Sequence, residues 1–570
     1  MRLRPAISFL VISLLISLVP LAAVSAQEAS QSFPPGEMEA VGDYNNGQPI
    51  PLETGSGRAA ARTAAGRARV GQTKLWLALD DFKREAYTKE FELRGIGEHI
   101  EVWVAAGSDD VSTGVRFPAG DCRNARVRIT DRQVRYLIGQ FDNNIYPKES
   151  RTFSLPPRRN GSNAPLAQEI GRPNDYYRGR GDRIVTLIDN VRDSHFYDMD
   201  NSQSRTYIAG FYSSYFSNQV NRNVMTIDAF DWKHRTGPNP PHEPVPGDPC
   251  TSAPARPFAY EAIFAHEYQH LLESYEDPDE PNWVNEGLSD WAVDLTNYSD
   301  PRVPPSSIGF DGHVWAFLGY LGIQTPAIPN PRDMGPENSL TWWGDQPGDE
   351  ILVDYGAAFT MMEFLHARFG RDFMTRLHRE DANGFAGLAQ ATVGETAPAP
   401  PAQLVHQWLA AVVLDGVLDD GASLQGGDAN TYKVGSLDAS INWDMTHAYS
   451  TPGAPPNGGD FVRLRDADGY LTAGELGSIE FSGSLPESAT SGGWTVQLVA
   501  YDDAHAQAWI HELTLDPNFY GTLSGAALTN ALGSTANTVA AIVTFDDPTE
   551  QIREYARYTL SVNDVTQPGG

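Results

Sequence analysis

The chain has 570 residues, more than one ordinary core holds, so two to four domains are expected. Its hydrophobic content of 41% and aromatic content of 10% suit a globular protein. A formal net charge of -31, with most basic residues Arg, argues against nucleic acid or an anionic membrane as partner; it fits solubility outside the cell with some Ca2+ binding.

The first residues, "MRLRPAISFLVISLLISLVPLAAVSAQEAS", give Arg2 and Arg4, an apolar run, and small residues at Val24, Ser25 and Ala26. This pattern predicts a secretory signal peptide over 1–26, cleaved after Ala26. The competing reading is an uncleaved anchor, because the apolar run is nearly long enough to span a bilayer. No later segment is apolar enough to cross one, so the mature protein is expected to be secreted, extracellular and without an integral membrane segment. Two cysteines occur, Cys122 and Cys250. Export places them where disulfides persist, but the spacing alone does not decide between a bridge and two free thiols.

Residues 27–72, with "GSGRAAARTAAGRARVG", read as a disordered leader or propeptide. From "KLWLALDDF" the pattern becomes strand-like, and "AYTKEFELRGIGEHIEVWVAAG" alternates in two runs about a Gly-bearing turn, predicting a hairpin. A β-rich N-terminal domain is expected over 73–175. Three apolar strands follow at 183–190, 205–214 and 223–230. A Pro-rich loop then leads to a helix containing "FAHEYQHLLESYE", and further helices are expected at "HVWAFLGYLG", "YGAAFTMMEFLHARFG" and "APAQLVHQWLAAVVLDG". These make a domain of 176–424. Beyond it, "WTVQLVAYD", "AWIHELTL", "TVAAIVTFDD" and "ARYTLSVN" are short strands split by turn residues, predicting an antiparallel β-sandwich over 425–570. The fold class is therefore α+β.

"DADGYLTAGEL" resembles a calcium loop, but Gly469 is fourth from Asp466 where an EF-hand needs its Gly sixth. It reads as a solvated turn, as does "DMDN" at 198–201.

The chemistry concentrates in "FAHEYQHLLESYEDPDEPNWVNEGLSDWA". His266 and His270 stand at i and i+4 and share one helical face, with Glu267 beside the first. Imidazole nitrogens suit Zn2+, and Glu267 is placed to reach a water at the metal rather than the metal itself. With 13 His in the chain, a chance HExxH is expected in only about one or two such chains per hundred. A catalytic zinc has three protein ligands and one position for water. "EDPDEPN" breaks the first helix, and Glu286 near the start of the second is the third-ligand candidate. Asp290, one turn on, is expected to accept a hydrogen bond from the far nitrogen of a ligand histidine, His266 first.

"HEYQH…NEGLSDWA" resembles the gluzincin zinc metallopeptidases of the thermolysin-like superfamily, and the wording is closest to the hyicolysin-like secreted bacterial neutral metalloproteases. The resemblance covers roughly 180–420. It implies a mixed catalytic sheet, an active-site helix beneath it and a helical lower lobe. The interval from His270 to Glu286 is shorter than in thermolysin. By resemblance, a tyrosine on a later helix stabilises the transition state in gluzincin aminopeptidases, and Tyr355 stands at a comparable interval; thermolysin's use of a histidine makes His313 and His366 the fallbacks. A core tyrosine is the equally weighted reading of Tyr355. The expected activity is a secreted zinc endopeptidase on extended polypeptides, with "NVMTIDAF" as the sheet edge that pairs with substrate. Two other classes stay open. One is an exported adhesin or glycan-binding protein with a structural zinc; the other is a zinc hydrolase of a non-peptide bond.

Overall fold

The computed structural model describes residues 38–564, apart from 42–43, 45–47, 54–67, 108–113, 198–205, 246–247, 249, 322–334, 346–350, 444–445, 447–452 and 466–468. The signal segment, much of the leader and the key positions of both acidic turns lie outside the described residues.

The architecture is α+β, built on a seven-stranded sheet of order β1-β6-β7-β5-β4-β3-β2. Its strands are β1 (Met38–Val41), β2 (Thr73–Asp80), β3 (Glu85–Ile96), β4 (Ile100–Ala105), β5 (Ile184–Asp189), β6 (Thr206–Tyr212) and β7 (Val224–Asp228). The β2–β3 and β3–β4 pairs are antiparallel, as the alternating sequence predicts. β4, β5 and β7 run parallel, while β6 is antiparallel to β7. β5 is buried at every position, as a strand covered on both faces must be. Its Ile184 and Ile188 face the main core, and Val185 and Leu187 face a second core around Trp76, Trp103 and Tyr177.

Four expectations change here. Strands from 73–175 and from 176–424 share this one sheet, so the expected boundary at 175 runs through a sheet rather than between cores. The leader is not structureless throughout, since β1 pairs in parallel with β6 and Ile50 is buried. β7 is not an edge strand, because β6 and β1 lie outside it. The segment expected to be β-rich also holds helices α1 (Asp131–Gln140) and α2 (Tyr146–Thr152); Thr130 and Gln133 form a capping box that starts α1.

Beneath the sheet lies α3 (Ala259–Glu276), buried on all sides from Ile263 to Glu273. A helix so enclosed needs no single apolar stripe, which is why its polar residues can turn inward. Asp277 ends it and Pro281 precedes α4 (Asn282–Thr296), so "EDPDEPN" is a short reversal that lays α4 against α3. The lobe continues with α5 (Gly312–Phe317), α6 (Ile351–Phe369), α7 (Arg371–His378) and α8 (Pro401–Asp419). Gly356 lets α5 press on α6: a Cβ there would lie 2.1 Å from the His313 carbonyl oxygen. Among the described residues no helix is long and apolar enough to cross a membrane.

The C-terminal region is two sheets face to face. One has β13 (Tyr520–Ser524), β10 (Leu476–Gly483) and β15 (Tyr558–Asp564); the other has order β8-β12-β11-β14-β9, from β8 (Ser423–Gln425), β9 (Asp460–Arg463), β11 (Gly493–Tyr501), β12 (Gln507–Glu512) and β14 (Thr538–Asp546). Ile479, Phe481, Val496, Leu498 and Val543 fill the space between. The outer face of the larger sheet joins the helical lobe through Phe461, Val499, Ile510 and Ile542. Glu550 adds a polar clamp, accepting from Trp283 Nε1 and the Phe385 amide, each at 2.9 Å.

Candidate metal centre

The motif side chains converge. His266 Nε2 lies 2.9 Å from His270 Nε2 and 3.1 Å from Glu286 Oε2, and His270 Nε2 lies 3.1 Å from the same oxygen. Tetrahedral bonds of about 2.0–2.1 Å place ligands about 3.3 Å apart, so this triangle has the size of one face of a zinc site, slightly contracted. All three residues are buried, and they form a group of donors whose ligand atoms lie within 4.8 Å of one another.

The far ring nitrogens decide what the near ones carry. His266 Nδ1 donates to Asp290 Oδ1 at 2.9 Å. His270 Nδ1 donates to Asn285 Oδ1 at 2.7 Å and lies 3.0 Å from Ser289 Oγ. With both Nδ1 protons engaged, two Nε2 lone pairs and one carboxylate oxygen face one another in a dry space. Something positive must sit among them: a cation, or in its absence a proton. Without an ion, burial would lower the His266 pKa, but its hydrogen bonds to Asp290 and Glu286 outweigh that and raise it to about 10. Burial would raise Glu286, yet His270 and His266 hold it near about 2. A divalent ion held there would replace that proton.

The helix geometry explains the convergence. On α4, Asn285 with Ser289 and Glu286 with Asp290 are i,i+4 pairs, so all four point at α3. Asp290 also accepts from His313 Nδ1 at 2.8 Å, bridging His266 to α5. Its pKa lies well below the usual carboxylate range; burial opposes this, and the His313 and His266 charges overcome it.

Glu267 is fully buried, and among the described residues neither carboxylate oxygen has a side-chain hydrogen-bond partner. Burial pushes its pKa up to about 7, against the pull of His266 and His270. That is the range a general base needs. Tyr355, on α6, is buried with its ring centroid 6.3 Å from that of His266 and stacked on His313 at 4.8 Å. His313 lines a cavity of about 100 Å³ beside His266, with Arg256, Asp290, Phe310 and Phe359. His366 is different: it packs against Trp291 at 5.0 Å, on the far stretch of α6, and takes no part in the cluster.

Sequence reasoning missed Asn285 and Ser289. Their signal was present, because Asn285 and Ser289 are themselves an i,i+4 pair, forming a stripe next to that of Glu286 and Asp290. It also missed Glu149 of α2, fully buried with neither oxygen hydrogen-bonded and its pKa pushed well up by burial, within electrostatic reach of His266. The Cys122–Cys250 bridge is formed and joins positions 128 residues apart. Neither the protein-family models nor the curated proteins contain a match to this chain.

Proposed function

We propose that the protein is a secreted zinc-dependent endopeptidase of the gluzincin type, with His266, His270 and Glu286 as metal ligands. The observation that carries the reading is the triangle of two imidazole nitrogens and a carboxylate oxygen, 2.9–3.1 Å apart, beside the buried Glu267. Two imidazoles and one carboxylate are a donor set that suits zinc. Among the described residues the cluster offers three such donors, which favours a catalytic site with an open position over a closed structural one.

Bound zinc would supply Lewis-acid activation of a water and of the scissile carbonyl. Glu267 takes the proton from the attacking water and delivers it to the leaving amine. Tyr355 and His313 are the candidate donors to the developing oxyanion, held together by ring stacking and by the His313–Asp290 hydrogen bond. Asp290 and Asn285 fix the tautomers of the two ligand histidines. An extended polypeptide would pair with the sheet along β1, the edge strand on that side, not on β6 or β7, which have neighbours on both sides.

Digestion of casein and of a mixed peptide library tests this. Internal cleavage that stops on chelation and returns with zinc is expected. Intact peptides with a zinc-loaded protein would instead support a non-peptide substrate, and zinc that resists chelators without activity would support a structural site in an adhesin.

A further inference from the structure

Behind His270 runs a second line of polar groups, all of them buried. Ser289 Oγ, 3.0 Å from His270 Nδ1, is the second acceptor of the proton that Asn285 Oδ1 takes at 2.7 Å, and it donates to Gln269 Oε1. Gln269 Nε2 donates to Glu273 Oε2 at 2.9 Å. His378 Nδ1, from α7, donates to the same Glu273 oxygen, and Ser154 Oγ lies 3.2 Å from His378 Nε2. Gln269, Glu273, Ser289 and His378 are all 0% exposed.

The direction of these bonds is consistent. Each donor from His270 onward points toward Glu273, so the dipoles line up on one buried carboxylate. Aligned hydrogen bonds in a low-dielectric interior polarise one another. A serine that is itself donating toward a negative charge is a stronger acceptor for the His270 N–H. A ring that donates more strongly at Nδ1 presents a more basic Nε2 to a metal. At Nδ1, His266 meets a carboxylate directly, in Asp290, whereas His270 meets the neutral Asn285 and Ser289.

We infer that Glu273, acting through Gln269 and Ser289 and anchored by His378, is a positioning residue that strengthens His270 as a metal ligand. This rests on the metal-centre reading above. Glu273 lies one turn beyond His270 on α3, so the helix that carries the ligands also carries the charge that supports one of them. Anchoring comes from α7, 105 residues away in sequence, which ties the ligand geometry to the packing of the helical lobe.

The test is zinc affinity of the full chain by competition with a chromophoric chelator, at fixed pH, for the parent, Glu273→Gln, Ser289→Ala and the double variant. Each single change is expected to weaken binding on the order of tenfold, the lower end for loss of such outer partners. The double variant is expected to match Ser289→Ala, because once the serine is gone the charge has no route to His270. Unchanged affinity in Glu273→Gln overturns the inference, as do additive losses in the double variant, which a merely structural role would produce. Should Glu273→Gln not fold, Gln269→Met breaks the same chain near constant volume and carries the same expectations. A parent that binds no stoichiometric zinc overturns the metal reading itself, a result distinct from either.

Discussion

Asp290→Asn is the substitution that most sharply separates a metal-supporting carboxylate from a merely well-buried one. Asp290 takes two hydrogen bonds, from His266 Nδ1 at 2.9 Å and from His313 Nδ1 at 2.8 Å. Asparagine keeps the shape but has one oxygen. One imidazole can still donate to it, and the other meets an amide N–H and must turn or change tautomer. A charge-assisted bond of roughly 1.5–3 kcal/mol becomes a neutral one of about 1 kcal/mol on the surviving side. If His266 keeps the bond, its Nε2 loses basicity; if it loses the bond, the wrong tautomer puts a proton where the ion belongs. Either outcome is expected to weaken zinc binding about 10–100-fold. The assay is a chelator competition titration, with the melting temperature of the ion-free protein recorded alongside to detect misfolding. A folded variant with zinc affinity within about twofold of the parent would refute the argument that Asp290 acts on the metal through His266.

Glu267→Gln should retain zinc and the fold but cut turnover by at least about 10²-fold, and full activity on casein would remove Glu267 from the role of base. Tyr355→Phe should lower kcat by about 10²-fold with zinc retained; an unchanged rate would pass the oxyanion role to His313. Glu280 is pushed up to about 9, chiefly by burial and then by the nearby negative charges of Glu273 and Asp277. The folded chain therefore holds a proton that the unfolded chain releases near pH 4.5, and stability falls as pH rises from about 4.5 to about 9. Glu280→Gln should melt several degrees above the parent at pH 9 and match it at pH 4.5, and equal melting at both would contradict the assignment. Replacing Cys122 and Cys250 by Ser frees a loop of 128 residues, worth up to about 5 kcal/mol in the chain-entropy account, so an unchanged denaturation midpoint would rule out that stabilisation.

The clustering of His266, His270 and Glu286 could be read from the chain because it is local. His266, Glu267 and His270 occupy one helix, and Glu286 and Asp290 occupy the next, after a reversal that two prolines announce. Helical periodicity alone then puts the right atoms on facing surfaces. Strand order is not local in this sense. β7 looked like an edge because it is nearest α3 in sequence, but pairing partners are chosen by burial over long separations, and β6 and a leader strand lie beyond it. The helices α1 and α2 were overlooked although their signal was present: Val134, Leu137, Phe141 and Ile145 recur at helical spacing and are buried, and a capping box starts α1. His378 could not be linked to the site at all, since its contact with Glu273 spans 105 residues and depends on how α7 packs.

The central claim is one divalent cation held by two imidazoles and a carboxylate with a corner left for solvent. Anomalous diffraction at the zinc edge, on crystals of the zinc-loaded protein, tests it most directly. The account predicts a single strong peak about 2.0–2.1 Å from His266 Nε2, His270 Nε2 and a Glu286 oxygen, with no fourth protein atom bound. A peak elsewhere, or one whose fourth position is filled by a side chain, would contradict it.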